Sequence, residues 1–168
     1  MSNPTVQHFY DKDSYHESYD SQHGPRLDAM IERFGLASLK DQRILDVGGG
    51  LGFLGKRLDR SNDYWVVDGA SITPEQQLCP GWRQVADLDH EEFSLPILRR
   101  AQRDHAHEDR RFDIAFCLET LEHLSNPYHC LVEIKKLVKP EGLIYLSIPS
   151  ESVWHNVVYP GLLWPPQS

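Results

Sequence analysis

The stretch Arg43-Ile44-Leu45-Asp46-Val47-Gly48-Gly49-Gly50-Leu51-Gly52-Phe53-Leu54-Gly55 decides the fold. Its first part, Arg43 to Val47, is a short apolar run of strand length, and the glycines stop it. Leu51, Leu54 and Leu58 then resume at helical spacing. The expected order is strand, glycine turn, helix.

The same alternation repeats downstream. Tyr64 to Val67 is expected to be a strand ending at Asp68, and Thr73-Pro74-Glu75-Gln76 has a capping-box start for a short helix that Pro80 closes. Trp82 to Ala86 is a weaker strand before Asp87. Residues 96–110 form a charged helix, Phe112 to Leu118 a buried strand, and Pro127 to Val138 an amphipathic helix. Lys139 to Gly142 is a turn, and Leu143 to Ile148 is the fifth strand. Upstream, Pro25 suits a helix start and Gly35 its stop, with Leu27, Met30, Ile31 and Phe34 between them. Residues 1–24 are polar and are expected to form an amino-terminal cap or lid, leaving 25–168 as the main domain. Nearly continuous apolar strands joined by crossovers argue for an α/β, doubly wound, mostly parallel sheet with helices on both faces.

Composition narrows the classes. At 168 residues the chain has the size of one domain, and 40% apolar content suffices for a core without disulfide or metal staples. A net charge of −8, with no basic cluster interleaved with aromatics, disfavours a nucleic-acid partner. No apolar run approaches the roughly 20 residues of a membrane span, and the polar start is unlike a signal peptide. A cytoplasmic location is therefore expected, and the cysteines Cys79, Cys117 and Cys130 are expected to be reduced thiols.

In such sheets ligands bind outside the carboxyl ends of the strands. The residues there are Gly48 to Gly52, Asp68, Asp87 and Glu119. Glycines let backbone approach a ligand closely, and an acid about 20 residues later can accept from a ribose diol. Asp68 or Asp87 taken singly is more often a helix cap or solvated turn residue than a ligand; the joint placement of these residues after successive strands describes an adenosine-containing cofactor. Gly50-Leu51-Gly52-Phe53-Leu54-Gly55 also satisfies the dinucleotide fingerprint, but out of register with the strand end. Asp46 would sit badly beside a pyrophosphate and well beside an ammonium group.

Asp46-Val47-Gly48-Gly49-Gly50-Leu51-Gly52 resembles the first motif of the class I S-adenosylmethionine-dependent methyltransferases. Val66-Val67-Asp68, Ala86-Asp87-Leu88, Phe112 through Leu124, and Leu137 through Gly142 are similar to the family's later segments, so the likeness covers about 43–149. It implies that the Gly48, Gly49 and Gly50 backbone faces the methionine moiety and that Asp46 approaches its amino group. Asp68, followed by Gly69, would hold the ribose, and Asp87 with the Leu88 amide the adenine. Cys117 and Leu118 would contribute backbone and wall beneath the sulfonium. Glu141 departs from the glycine usual in the family's turn there.

The implied chemistry is methyl transfer from S-adenosylmethionine to a small-molecule acceptor, leaving S-adenosylhomocysteine. Aligning the reactants and excluding water can supply roughly 7 to 11 kcal/mol. His123 is the candidate base for a hydroxyl acceptor; an ordinary turn histidine is the alternative. Glu119, Glu122 and His123, with His155, also resemble a divalent-ion site of small-RNA and ubiquinone-pathway O-methyltransferases, although many members carry the glutamate-histidine pair without an ion. No metal is assigned. His105 and His107 are read as solvent-exposed. Tyr10, Tyr15 and Tyr19 either close over the cofactor or pack a capping helix.

The family sheet usually ends in a further antiparallel strand pair. The proline-rich stretch after Ile148 leaves no space for it, so the fifth strand is expected to be an edge. Val157, Val158, Tyr159, Leu162, Leu163 and Trp164 could cover that edge, or a homo-oligomer or partner chain could. An alternative function follows, a catalytically impaired cofactor-binding subunit that acts with a partner. A nicotinamide-dinucleotide-binding domain is a further alternative.

Overall fold

The computed structural model describes residues 13–104 and 109–148. Its centre is a five-stranded sheet formed by β1 (Arg43–Val47), β2 (Asp63–Asp68), β3 (Trp82–Val85), β4 (Phe112–Leu118) and β5 (Val138–Ser147). The spatial order is β3-β2-β1-β4-β5 and every pairing is parallel. The chain winds outward from β1 to β3, then returns to the other side of β1 as β4. That reversal opens a crevice at the carboxyl ends of β1 and β4.

Both faces of β1, β2 and β4 are covered, for the reason the apolar strands suggested. Leu45, Val47, Trp65, Val67, Ala115 and Cys117 face α2 (Ser94–Asp104) and α3 (Pro127–Leu137), packing with Phe93, Ile97, Ile134 and Leu137. The alternate positions Ile44, Val66, Ile114 and Phe116 face α1 (Asp13–Arg33), meeting Ile31 together with Leu36, Leu54 and Leu58. The period of two along each strand divides one apolar run between two cores. Buried Glu133 on α3 accepts from the Ser94 N–H and hydroxyl at 3.1 and 2.6 Å, fastening the start of α2 to α3.

Several elements differ from expectation. After β1 the helical stripe is not an α-helix: the segment runs through turns to a short 3-10 turn at Gly55–Arg57. Gly52 has φ +88°, which a helix cannot hold, yet Leu51, Leu54 and Leu58 are still buried. The first helix starts at Asp13 rather than Pro25 and runs through Gly24-Pro25 unbroken. The 74–76 turn is 3-10, with both halves of the expected capping box in place. α2 runs Ser94–Asp104, short of the expected end, and 105–108, with His105 and His107, lie outside the described residues. The turn at 139–142 is absorbed into β5, which pairs Val138 with Phe112 and then Leu143 with Ile114. That irregularity lies opposite Asp113, whose Oδ1 accepts from Lys139 Nζ at 2.7 Å.

Among the described residues β5 is an edge of the sheet, with Leu143 55% and Ile144 41% exposed. The apolar residues expected to cover it, Val157 to Trp164, lie outside the described residues. Among the described residues no helix is long and apolar enough to cross a membrane. Cys79, Cys117 and Cys130 are buried free thiols.

Candidate cofactor site

A cavity of about 680 Å³ opens at the carboxyl ends of β1, β2 and β4. Its floor is the glycine turn. Gly48 continues the β1–β2 pairing by donating to the Val67 carbonyl at 2.8 Å, then turns with φ +72°. A Cβ at Gly48 would lie 2.2 Å from Thr120 Oγ1, and one at Gly49 would lie 2.5 Å from Asp46 Oδ2. The turn is glycine because a side chain from either neighbour already fills the space behind it.

Among the acidic residues that border the cavity, Asp46, Asp68 and Asp87 come one each from the end of, or just after, the first three strands. Asp46 is 4% exposed and accepts a short hydrogen bond from the Tyr64 hydroxyl. Burial pushes its pKa up to about 7; the neighbouring Asp68 charge adds to the rise, while Tyr64 and Arg83 oppose it. Asp68 accepts from the Gly50 N–H at Oδ2 and the Ala70 N–H at Oδ1, both at 2.8 Å. Asp87 accepts from the Asp89 N–H at 2.9 Å and faces the His90 ring at 3.3 Å. Burial opposes its ionisation, but the Asp89 amide and His90 outweigh it and hold the carboxyl below its usual range.

The far wall comes from β4 and the turn that follows. Glu119 stands at φ +51°, with its carboxylate accepting from Ser147 Oγ at 2.8 Å and paired with Arg26 Nη1 of α1 at 3.0 Å. His123 lies at the rim, its side chain 76% exposed and 3.8 Å from Glu122. Tyr19 reaches the cavity from α1 and stacks on Phe53 at 4.6 Å between centroids. Tyr10 and the side chain of Tyr15 lie outside the described residues.

Residues 19–165 match the family model described as Methyltransferase domain. The chain belongs to the methyltransferase family. Its relatives include ubiquinone biosynthesis O-methyltransferases: one from Neisseria meningitidis serogroup C is 32% identical over 67% of this chain and 46% of its own length. One from Xanthomonas oryzae pv. oryzae is 31% identical over 83% of this chain and 55% of its own. The chain thus spans about half the length of the curated relatives it matches. A solved S-adenosylmethionine-dependent methyltransferase from Clostridium acetobutylicum shares the fold at TM-score 0.55 and 15% identity, covering 88% of this chain and 60% of that one. The class I superfamily and the α/β fold expected from the sequence are borne out, and the dinucleotide fingerprint gives way to the methyltransferase reading.

Among the residues singled out from sequence, Asp46, Gly48, Gly49, Gly50, Asp68, Gly69, Asp87, Leu88 and His123 all border this one cavity. Cys117 does not: it is fully buried among α2 and α3 side chains, and its thiol bonds toward Cys130, which with burial pushes its pKa up strongly. Glu119, Glu122 and His123 do not converge on one ion's reach; among the described residues the trio that does is Asp87, Asp89 and His90. His155 lies outside the described residues. Sequence reasoning missed Thr120 and His23, which line the cavity, and Tyr64 and Arg83, which bond to Asp46 and to the Gly50 carbonyl behind it. Tyr64 and Arg83 sit inside strands, where nothing local distinguishes a side chain aimed at a neighbouring loop from one that fills the core.

Proposed function

We propose that this chain binds S-adenosylmethionine across the carboxyl ends of β1 and β2 and transfers its methyl group to a small-molecule acceptor. The observation that carries the reading is the convergence of Asp46, Asp68 and Asp87 with the Gly48–Gly50 backbone on one cavity of about 680 Å³, within the usual range for a small-molecule site. The donor set fits the group: its ammonium, ribose diol and adenine amine are all donors, and each meets a carboxylate. The bound cofactor supplies an electrophilic methyl on a sulfonium.

The protein's part is to hold and to shelter. Asp46 receives the ammonium, Asp68 the diol, and Asp87 with the Leu88 amide the base, while Gly48 and Gly50 admit the ligand against bare backbone. Tyr19 on α1 covers the cavity and limits water. His123 takes the proton of a hydroxyl acceptor at the rim, where an exposed imidazole exchanges that proton with solvent. The O-methyltransferase relatives support an oxygen acceptor. Three free thiols fit a reducing, cytoplasmic setting.

A partner-dependent form of the same activity is favoured by one observation, the apolar side chains exposed along β5. Calorimetric titration with S-adenosylhomocysteine tests the core reading: binding is expected for the unmodified protein and a large loss for Asp68→Ala. No binding by the unmodified protein overturns it. Binding without turnover by the protein alone, with turnover restored by a second chain, selects the partner-dependent form.

A further inference from the structure

We infer that Arg83 is the positioning residue for ribose recognition, acting through Asp68; this rests on the S-adenosylmethionine reading and deepens it. Arg83 lies on β3 opposite Val66, with its side chain 9% exposed. Its Nη1 donates to the Gly50 carbonyl at 2.5 Å and its Nη2 to the Ala70 carbonyl at 3.0 Å. The same Nη2 stands 3.6 Å from Asp68 Oδ1.

Gly50 and Ala70 are also the residues whose amides donate to Asp68. Each is therefore gripped twice, at its N–H by the carboxylate and at its carbonyl by the guanidinium. The cage joins the glycine turn after β1 to the turn after β2. One N–H on each Asp68 oxygen fixes the rotation of the carboxylate and leaves further acceptor capacity on both oxygens. Asp68 borders the cavity, and two oxygens at fixed rotation are what a vicinal diol requires.

Arg83 is not placed there by its own needs. Its Nε is buried without a hydrogen-bond partner. A buried polar atom left so calls for an explanation beyond packing. The planar fork presents two donors to the two carbonyls in a fixed geometry, which a compact ammonium on a flexible stem reproduces only in part. Loss of the fork frees both turns and lets the carboxylate rotate away from the diol.

The test compares S-adenosylhomocysteine with its 2′-deoxy analogue by calorimetry, in the unmodified protein and in Arg83→Met, Arg83→Lys and Arg83→Gln. The unmodified protein is expected to prefer the ribose form by about tenfold to a hundredfold, as for a hydrogen bond to a charged group. Arg83→Met is expected to bring that preference close to one, and Arg83→Lys to leave an intermediate value. A purely structural arginine weakens both ligands alike and leaves the ratio unchanged, which overturns the proposal; so does a ratio near one in the unmodified protein. Should Arg83→Met fail to fold, the ratio in Arg83→Lys and Arg83→Gln decides in the same way. Absence of any binding by the unmodified protein would instead remove the cofactor reading beneath it.

Discussion

The Arg57 guanidinium lies in the notch that Gly24 leaves in α1: a Cβ on Gly24 would meet Arg57 Nη2 at 2.7 Å. Asp20 and Asp28, one turn to either side, accept from Arg57 at 2.6 and 2.7 Å, and Arg57 Nη1 also reaches the Phe53 carbonyl at 3.1 Å. One side chain thus pins α1 to the segment after β1 and brings Tyr19 onto Phe53 over the cavity. The clamp also accounts for a helix that tolerates Gly24-Pro25 in its interior, where proline alone costs about 3 kcal/mol.

Arg57→Leu is expected to destabilise the protein by about 1–2 kcal/mol, since Arg57 is mostly buried while Asp20 and Asp28 remain partly solvated. Amide exchange should quicken along α1 and not in β1 or β4. Gly24→Ala should then stabilise the Arg57→Leu protein by about 1 kcal/mol through helix propensity. In the presence of Arg57 that gain should vanish, because the methyl displaces the guanidinium. Additive effects across the cycle would refute the notch.

Asp46 predicts a pH dependence of known sign. Its folded pKa of about 7 lies above the ordinary 3.8, so the folded protein holds a proton that the unfolded chain releases. Stability should therefore fall as pH rises from about 4 to about 7 and then level off. Asp46→Asn should gain on the unmodified protein over that window and hold its advantage at pH 8. Binding runs the other way: affinity for S-adenosylhomocysteine should rise by up to tenfold per pH unit below pH 7, where ionised Asp46 meets the ammonium. Asp46→Asn should flatten that slope in calorimetric titrations across the same range.

The fold was legible because β1, β2 and β4 are apolar on both faces and end at glycine or an acid, a pattern set by local sequence. The acids of the site were legible for the same reason, since a strand's end fixes where the next residue points. What escaped depended on distant packing. Leu51, Leu54 and Leu58 keep helical spacing, yet Gly52 at φ +88° breaks the helix while tertiary contacts bury the leucines regardless. α1 runs on through Gly24-Pro25, where one tie to the rest of the chain is Arg57, far along the sequence, which donates to Asp20 and Asp28. Cys117 follows the alternation of β4 into the α2 and α3 core, a register that the strand's uniformly apolar sequence does not mark.

Gly48→Ala should be among the most damaging single-methyl additions. The residue must hold φ +72° while its new Cβ comes 2.2 Å from Thr120 Oγ1. Thr120 is buried and its hydroxyl bonds to the Leu118 carbonyl at 3.0 Å, so it cannot swing aside without losing that bond. A loss of about 2–4 kcal/mol is expected from strain and overpacking together. Chemical denaturation should show Thr120→Gly recovering part of that loss in the double variant; no recovery would mean that backbone strain alone carries the effect.

Glu119 separates stability from binding. Its φ of +51° costs about 1 kcal/mol or more for a residue with a Cβ, so Glu119→Gly should be more stable than Glu119→Ala by about that amount. Both variants lose the ties to Arg26 and Ser147, and amide exchange near Arg26 should rise equally in the two. Glu119 borders the main cavity and also a smaller one of about 120 Å³ between α1 and the ends of β4 and β5. The smaller cavity lies away from the three carboxylates that hold the cofactor in the proposed reading. S-adenosylhomocysteine affinity should therefore change by less than about threefold in either variant, a difference under 1 kcal/mol. A larger loss in both would place Glu119 against the cofactor.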